Sequence, residues 1–221
     1  MASRFPDPSR APGDAPLARG EQLDPDTLID AYAHGIFPWP VDGDVYWWSP
    51  DPRAVIPLDG VRVSRSLRRT LRSGWFRTTA DTAFDAVVAG CADRPGDGAR
   101  DSTWITPAMR AAYGSLHAMG MAHCVEVWDR DGGLVGGLYG VAVGGAFMGE
   151  SMFHRVTDAS KVALIDTARR LRAGGFTLFD AQLPTAHLTS LGAVSTSRHD
   201  YLDLLADAVS RPAEFPGGPG P

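Results

Sequence analysis

The chain has 221 residues, of which 44% are hydrophobic and 21% charged, and it carries a formal net charge of −5. That length suits one large domain or a medium domain with a small companion, and the composition is that of a globular enzyme, not of a disordered chain or one that coats nucleic acid indiscriminately. No apolar run approaches the ~18 residues of a membrane span, no signal-peptide core is present, and Cys91 and Cys124 lack metal or redox spacing, so a cytoplasmic protein with reduced thiols is expected.

Residues 1–20 hold Pro6, Pro8, Pro12 and Pro16 among small and polar residues, and 211–221 are rich in proline and glycine, so both ends are expected to be mobile tails. A small N-terminal domain is expected over 21–58. It opens with Asp24, Pro25 and Gly35, the N-cap, first-turn proline and closing glycine of a short helix whose apolar face is Leu28, Ile29 and Tyr32. Prolines break the aromatic stretches 36–40 and 46–53 that follow, which together hold three of the six tryptophans. Trp47 and Trp48 are expected in a core, and Trp39, fixed between Pro38 and Pro40, in the wall of an apolar pocket.

A larger α/β unit is expected over 59–210. From Val61 to Arg77 there is no acid, while Arg62, Arg65, Arg68, Arg69, Arg72 and Arg77 are all present. On a helix beginning after Ser64, Arg65, Arg68, Arg69 and Arg72 share one face and Leu67, Leu71 and Trp75 line the other. Like charges so spaced destabilise a helix unless an anion neutralises them, which leaves a solvated face and a phosphate-binding face as the two readings. Amphipathic helices follow at 82–92, 106–119 and 158–173, and strands at 123–128, 134–143, 146–151 and 176–181, the first two joined as a hairpin through Asp131, Gly132 and Gly133. That order reads as a mixed sheet flanked by helices. The glycines at 136, 137, 140, 144, 145 and 149 weaken strands unless they mark bulges or let another group approach the backbone.

Several chemistries are set aside by inspection. No GxxxxGK[ST], GxSxG, HExxH or paired CxxC occurs, and the six histidines lack ligand spacing, so no metal site is expected. Glu150 is a lone carboxylate within the apolar run 146–153 (AFMGESMF), where an ionised acid needs a hydrogen-bond partner, a ligand or a catalytic task. Asp180 ends an apolar strand and Gln182 follows two residues on, so strand alternation points both side chains to one side, within hydrogen-bonding reach. The competing reading has Asp180 capping the next helix and Gln182 satisfying loop backbone.

Taken together, GIFPW (35–39), WWSPDPRAV (47–55), SRSLRR (64–69), STWIT (102–106) with Ala112 and Tyr113 downstream, HxxEVW (123–128), LVGGLYGV (134–141), GESMF (149–153) with ASK (159–161), and FDAQ (179–182) with HxxSLGA (187–193) form a dense pattern. It resembles the bacterial leucyl/phenylalanyl-tRNA protein transferases from about Leu23 to Leu205. The resemblance implies an α/β (α+β) protein, an acetyltransferase-like mixed-sheet domain preceded by a small N-terminal domain. It implies transfer of leucine or phenylalanine, with methionine a further option, from aminoacyl-tRNA to the N-terminal Arg or Lys of an acceptor protein, creating a degradation signal without a cofactor. It also implies site roles. Trp39, Trp104, Phe147 and Met152 would line the pocket for the amino-acid side chain and 3′ adenosine, and Arg65, Arg68, Arg69 and Arg72 would take the acceptor stem. Asp180 and Gln182 would handle the proton or orient the substrate, Glu150 would position the ester or face the cationic peptide terminus, and Asp180 and Glu150 would supply the negative charge that selects an N-terminal Arg or Lys. Three departures stand out: Thr185 where members carry Asn, with shorter reach toward substrate; 16–23 (PLARGEQL) in place of a glycine- and leucine-rich stretch; and Ala181 in place of a cysteine.

Two other classes fit less well. An acetyl-CoA acetyltransferase should show an [RQ]xxGx[GA] turn for pyrophosphate, and none is found. A non-catalytic RNA-binding module explains the arginines but not Glu150, Asp180 and Gln182 beside aromatics. No exposed heptad seam suggests assembly, so a monomer is expected.

Overall fold

The computed structural model describes residues 3–20, 22–93 and 103–220; Glu21 and Ser102 of the motifs above, and Met1, Ala2 and Pro221 of the expected tails, lie outside these. The N-terminal part holds β1 (Ala18–Arg19), α1 (Pro25–Ala33), β2 (Phe37–Val41) and β3 (Asp44–Trp48), the strands forming an antiparallel sheet in the order β1-β3-β2. Helix α1 starts as the sequence indicates, with the Asp24 carboxylate accepting from Thr27 N, and Gly35 follows its end at φ 76°.

The aromatic stretch is a hairpin and not irregular chain. Asp42 (φ 51°) and Gly43 (φ 87°) form the two-residue turn, and β2 is an edge strand, where prolines cost no ladder hydrogen bond that another strand needs. Trp39 stands opposite Tyr46, and Trp47 is fully buried.

The larger part continues through β4 (Arg53–Val55), α2 (Arg65–Arg72), β5 (Arg77–Ala80), α3 (Phe84–Ala92), α4 (Pro107–Ala118), β6 (Ala122–Trp128), β7 (Leu134–Val143), β8 (Ala146–His154), α5 (Ala159–Ala173), β9 (Leu178–Gln182), α6 (Ala186–Ser190), β10 (Val194–Thr196), α7 (Arg198–Val209) and β11 (Gly218–Pro219). Its sheet runs β10-β4-β9-β8-β7-β6-β5-β11, antiparallel throughout except for the parallel pair β8 and β9. This is the mixed, helix-flanked sheet expected from the element order. Each face has its own core. One gathers Leu28, Tyr32, Val87, Tyr113, Tyr139 and Tyr201 from α1, α3, α4, β7 and α7; the other gathers Leu67, Leu138, Phe147, Leu164, Phe176 and Phe179 around α5.

The strand glycines serve close packing of the protein on itself. A Cβ on Gly136 would stand 2.6 Å from the Ala159 Cβ at the start of α5, so α5 can lie directly on the sheet only because β7 has no side chain there.

Two expectations fail in the same direction. The chain ends are docked, not mobile. Phe5 packs on Trp47 at 4.7 Å between ring centroids, and Arg198 donates to the carbonyls of Ala11 (2.6 Å) and Ser49 (2.7 Å), tying the N-terminal segment to α7. At the other end, Phe215 is buried against Phe147 and His123, Arg170 donates to the Pro216 carbonyl, and β11 pairs with β5. Proline richness here goes with mostly irregular chain that is anchored by its side chains and carbonyls. In the other direction, α2 packs less than its pattern suggests: Leu67 is buried, but Leu71 and Trp75 are 40% and 46% exposed.

Candidate functional site

The ladder between β8 and β9 ends after Met148 and Asp180, although β8 runs on to His154. Where parallel strands part beyond their C-terminal ends, an α/β sheet opens a crevice. A cavity of about 500 Å³ occupies this position, walled by Ile56, Leu138, Met152, Leu164, Phe179 and Leu188 together with Trp39 and Trp104, and its polar groups include Glu150 and Gln182. The two tryptophans stack on each other at 5.3 Å and 17° and so bridge the N-terminal hairpin to the segment before α4.

Two β-bulges aim the polar groups. In β8, Gly149 pairs with Gly140 and Ser151 with Tyr139, leaving Glu150 as the extra residue. In β9, Val55 opposes Asp180 and Ala54 opposes Gln182, leaving Ala181 extra, and Gln182 adopts φ 62°. A bulge rotates the side chains that follow it, and this is how a single strand presents an acid to a crevice and keeps its apolar neighbours in the core. Glu150 Oε1 accepts from Gln182 Nε2 (2.7 Å) and Oε2 from the Tyr113 hydroxyl (2.6 Å), whose oxygen in turn lies 2.9 Å from that of Tyr32. Burial drives the Glu150 carboxyl upward and the neighbouring Asp180 charge adds to this, outweighing its tyrosine hydrogen bonds and Arg53, so that it titrates at about 7.

Asp180 is placed differently from the expectation. Its side chain is fully buried on the far side of β9 and does not meet the Gln182 side chain. Oδ1 accepts from Arg53 Nε (2.9 Å) and the Gln182 backbone N–H (2.8 Å); Oδ2 accepts from Arg53 Nη2 (2.5 Å) and the Tyr201 hydroxyl (2.9 Å). Four donors fill the roughly four acceptor sites of a carboxylate, leaving no lone pair for a substrate proton. The alternation argument failed because the bulge at Ala181 breaks the period of two between Asp180 and Gln182. Burial alone would lower the Arg53 pKa, but Asp180 overcomes this and keeps the guanidinium firmly charged.

Phe147 is also displaced from its expected role. The Glu150 bulge puts it on the same face as Met152, yet it lies deeper, fully buried against Phe179 (5.5 Å), Phe176 and Phe215. Phe179 lines the cavity and Phe147 supports it from behind. Trp39, Trp104 and Met152 do line the cavity, as does Thr185, whose hydroxyl caps α6 by accepting from Leu188 N (3.1 Å).

Arg65, Arg68, Arg69 and Arg72 project from α2 into solvent, with Ser64 as N-cap, and none of them forms an ion pair with a carboxylate among the described residues. They stand on an element apart from the Glu150–Gln182 pair, as a positive field beside the cavity and not as part of its lining. Arg53, Tyr32 and Tyr113 were missed as site residues. Arg53 and Tyr113 both sit inside motifs that carried the resemblance, WWSPDPRAV and the Ala112-Tyr113 pair, and that was the signal available.

Among the described residues no group of three or more His, Cys, Asp or Glu is placed to hold a metal ion, and no helix is long and apolar enough to cross a membrane.

The family model described as leucyl/phenylalanyl-tRNA protein transferase matches residues 55–206, and that of the N-terminal domain of the same family matches 21–51. Proteins named leucyl/phenylalanyl-tRNA protein transferase are similar along most of their length. That of Nitratidesulfovibrio vulgaris is 51% identical over 96% of this chain and 90% of its own. That of Chromohalobacter salexigens is 54% identical over 90% and 77%, and that of Stutzerimonas stutzeri 52% identical over 89% and 86%. Among solved structures, L-PGS from Bacillus licheniformis aligns over 77% of this chain and 54% of its own with a TM-score of 0.42 and 11% identity, a likeness too slight to bear on function. With both family models matching in chain order and relatives at about half identity over most of the chain, the chain belongs to the leucyl/phenylalanyl-tRNA protein transferase family.

Proposed function

We propose that the cavity receives the aminoacyl-adenosine end of a charged tRNA and that Glu150 accepts the proton released when an acceptor protein's α-amine attacks the ester. The activity is that of an aminoacyltransferase acting from tRNA onto protein N-termini. The observation that carries the mechanistic part is a carboxylate in the wall of a mainly apolar cavity, held by Tyr113 and Gln182, where burial pushes its pKa up to about 7. A general base works best when its pKa lies near the operating pH.

The amine nitrogen bonds to the ester carbonyl carbon and gives its proton to Glu150. The tetrahedral intermediate then collapses, breaking the bond to the ribose oxygen, which takes the proton back from Glu150 and leaves as the hydroxyl of the tRNA. Gln182 and Tyr113 hold the carboxylate in place through this cycle. Asp180 acts through Arg53 and the Gln182 backbone, fixing the turn of β9 from which Gln182 reaches Glu150. Apolar walls of Ile56, Leu138, Met152, Leu164 and Phe179 suit leucine and phenylalanine side chains, with the stacked Trp39 and Trp104 next to the adenine.

The acceptors in this reading carry an N-terminal Arg or Lys. Glu150 is the one carboxylate among the described cavity residues, and its charge draws a cationic terminus toward the ester. The exposed arginines of α2 take the acceptor stem. The test is incubation with labelled leucyl-tRNA and a peptide bearing an N-terminal arginine: labelled peptide is expected, and a folded protein that leaves the peptide unlabelled overturns the reading.

A further inference from the structure

Beyond α2 lies a second groove, of about 450 Å³, lined by Arg69, Ser73, Trp75, Phe76 and the 156–158 segment that leads into α5. Trp75 follows α2 in a short turn and remains 46% exposed. One face of its indole is covered by the Arg130 guanidinium at 5.1 Å, and Arg130 is itself pinned by a 3.0 Å hydrogen bond to the Ser73 carbonyl. An indole backed on one side by a fixed cation and open on the other is pre-oriented to stack, and little rotamer freedom remains to be lost.

The groove and the cavity are close neighbours along α5. Asp158, the N-cap of α5, lines the groove and Leu164 lines the cavity, six residues on and so ~9 Å along the helix axis. Lys161 lies between them, its ammonium 2.7 Å from Asp158 Oδ1, and so offsets the acid of the groove. On the cavity side stands His187, whose partial burial, with the positive charges of Lys161 and His154, lowers its pKa and favours the neutral ring. Between cavity and groove the acid is thus matched by Lys161, and the groove itself carries Arg69 beside an aromatic platform.

A tRNA whose terminal adenosine occupies the cavity and whose acceptor stem meets the α2 arginines runs its unpaired 3′ strand between the two, and the groove shares Arg69 with that helix. We propose that Trp75, backed by Arg130 and flanked by Arg69, is a stacking platform for an unpaired nucleotide of the tRNA 3′ end that precedes the terminal adenosine. The inference rests on the proposed use of the cavity and adds a contact that reads single-strandedness, since stacking on an aromatic ring tolerates any base and needs its face free. Leu71, 40% exposed on the preceding helical turn, supplies an apolar edge beside it.

The test measures binding of the full chain to an intact leucine-accepting tRNA and to the same tRNA trimmed of its unpaired 3′ nucleotides. Trp75→Ala should weaken binding of the intact tRNA by roughly ten-fold and leave the trimmed one unchanged, and Trp75→Phe should restore the parent affinity to within about two-fold. Equal losses on both RNAs, loss on neither, or a Trp75→Leu variant as good as Trp75→Phe would each overturn the platform. A parent protein that binds and transfers from intact tRNA with no effect of Trp75→Ala defeats only this inference. A parent that binds no tRNA defeats the proposed use of the cavity and this inference with it.

Discussion

Replacing Glu150 by glutamine separates a proton acceptor from a structural acid, because the two roles leave opposite signatures. Glutamine keeps the side-chain volume and can still accept from Tyr113, so the cavity should hold its shape, but it cannot take a proton from an attacking amine. Transfer should fall by about 10²- to 10⁴-fold, the range for general-base catalysis, and tRNA affinity should stay within about two-fold. In the parent, activity should rise with pH through about 7 as the carboxyl ionises. The Gln variant should lose that limb and keep only the one near pH ~8 from the acceptor's own α-amine.

Stability supplies an independent reading. The folded protein holds this proton more tightly than the unfolded chain, whose carboxyl titrates near the ordinary 4.5, so the contribution of Glu150 is full below about 4.5 and is lost as pH rises through about 7. A rise from 4.5 to about 7 corresponds to about 3 kcal/mol at most. Urea unfolding of both proteins should therefore show the variant gaining up to that amount on the parent between about pH 4.5 and pH 9. A constant difference across that range, or a pH limb near 7 that survives in the variant, would refute the assignment of the proton to Glu150.

Asp180→Ala should destabilise the protein by about 3–5 kcal/mol in urea unfolding, because it leaves Arg53 charged and without its partner in the core; an alanine variant as stable as the parent that loses only transfer would return Asp180 to the chemistry. Removing Arg65 and Arg69 together should weaken binding of any tRNA and reduce the slope of log affinity against log salt by about 1.5–2, measured by titration at several salt concentrations, and the KM for acceptor peptide should not move. Phe215→Ala, which empties the seat between Phe147 and His123, should cost about 3–5 kcal/mol of unfolding free energy; a loss near zero would mean that the C-terminal segment contributes nothing to the core.

What could be read from the sequence follows how local the cause was. Helices with capping chemistry were legible: Asp24, Ser64 and Thr106 each accept the backbone N–H that their residue type implies. The long strands β6, β7 and β8 were legible from their apolar runs. Strands of three or four residues, β4, β5 and β10, were not, because so few residues carry no period. The β2–β3 hairpin was hidden by its own prolines, whose meaning depends on β2 being an edge strand, a fact set by what fails to pair beside it. Helix α7 went unread, and with it the anchor for the N-terminal segment, since Arg198 finds the Ala11 carbonyl 187 residues away. For the site, residue identities were legible and side-chain directions were not. One inserted residue in β8 and one in β9 decide where Glu150 and Gln182 point, and nothing in a pattern of alternation announces an insertion.

The same two bulges explain how neighbouring carboxylates on adjacent strands come to differ so sharply. Asp180 points to the side of the sheet where Arg53 and Tyr201 wait, and its charge is matched by a guanidinium in a two-pronged pair. Glu150 points into the crevice, where its partners are a neutral amide and neutral hydroxyls. Asp180 and Arg53 act on Glu150 with opposite sign, the one raising and the other lowering its pKa, so the pair imposes little net field and desolvation decides the outcome. A carboxyl poised near neutrality thus needs no cation of its own; it needs the nearby acid to be neutralised by someone else. Arg53, which touches no part of the cavity, supplies that condition, and it does so from the SPDPR turn that joins the small N-terminal sheet to the larger one. The junction between the two parts of the chain is in this way part of the site, although no residue of it meets the substrate.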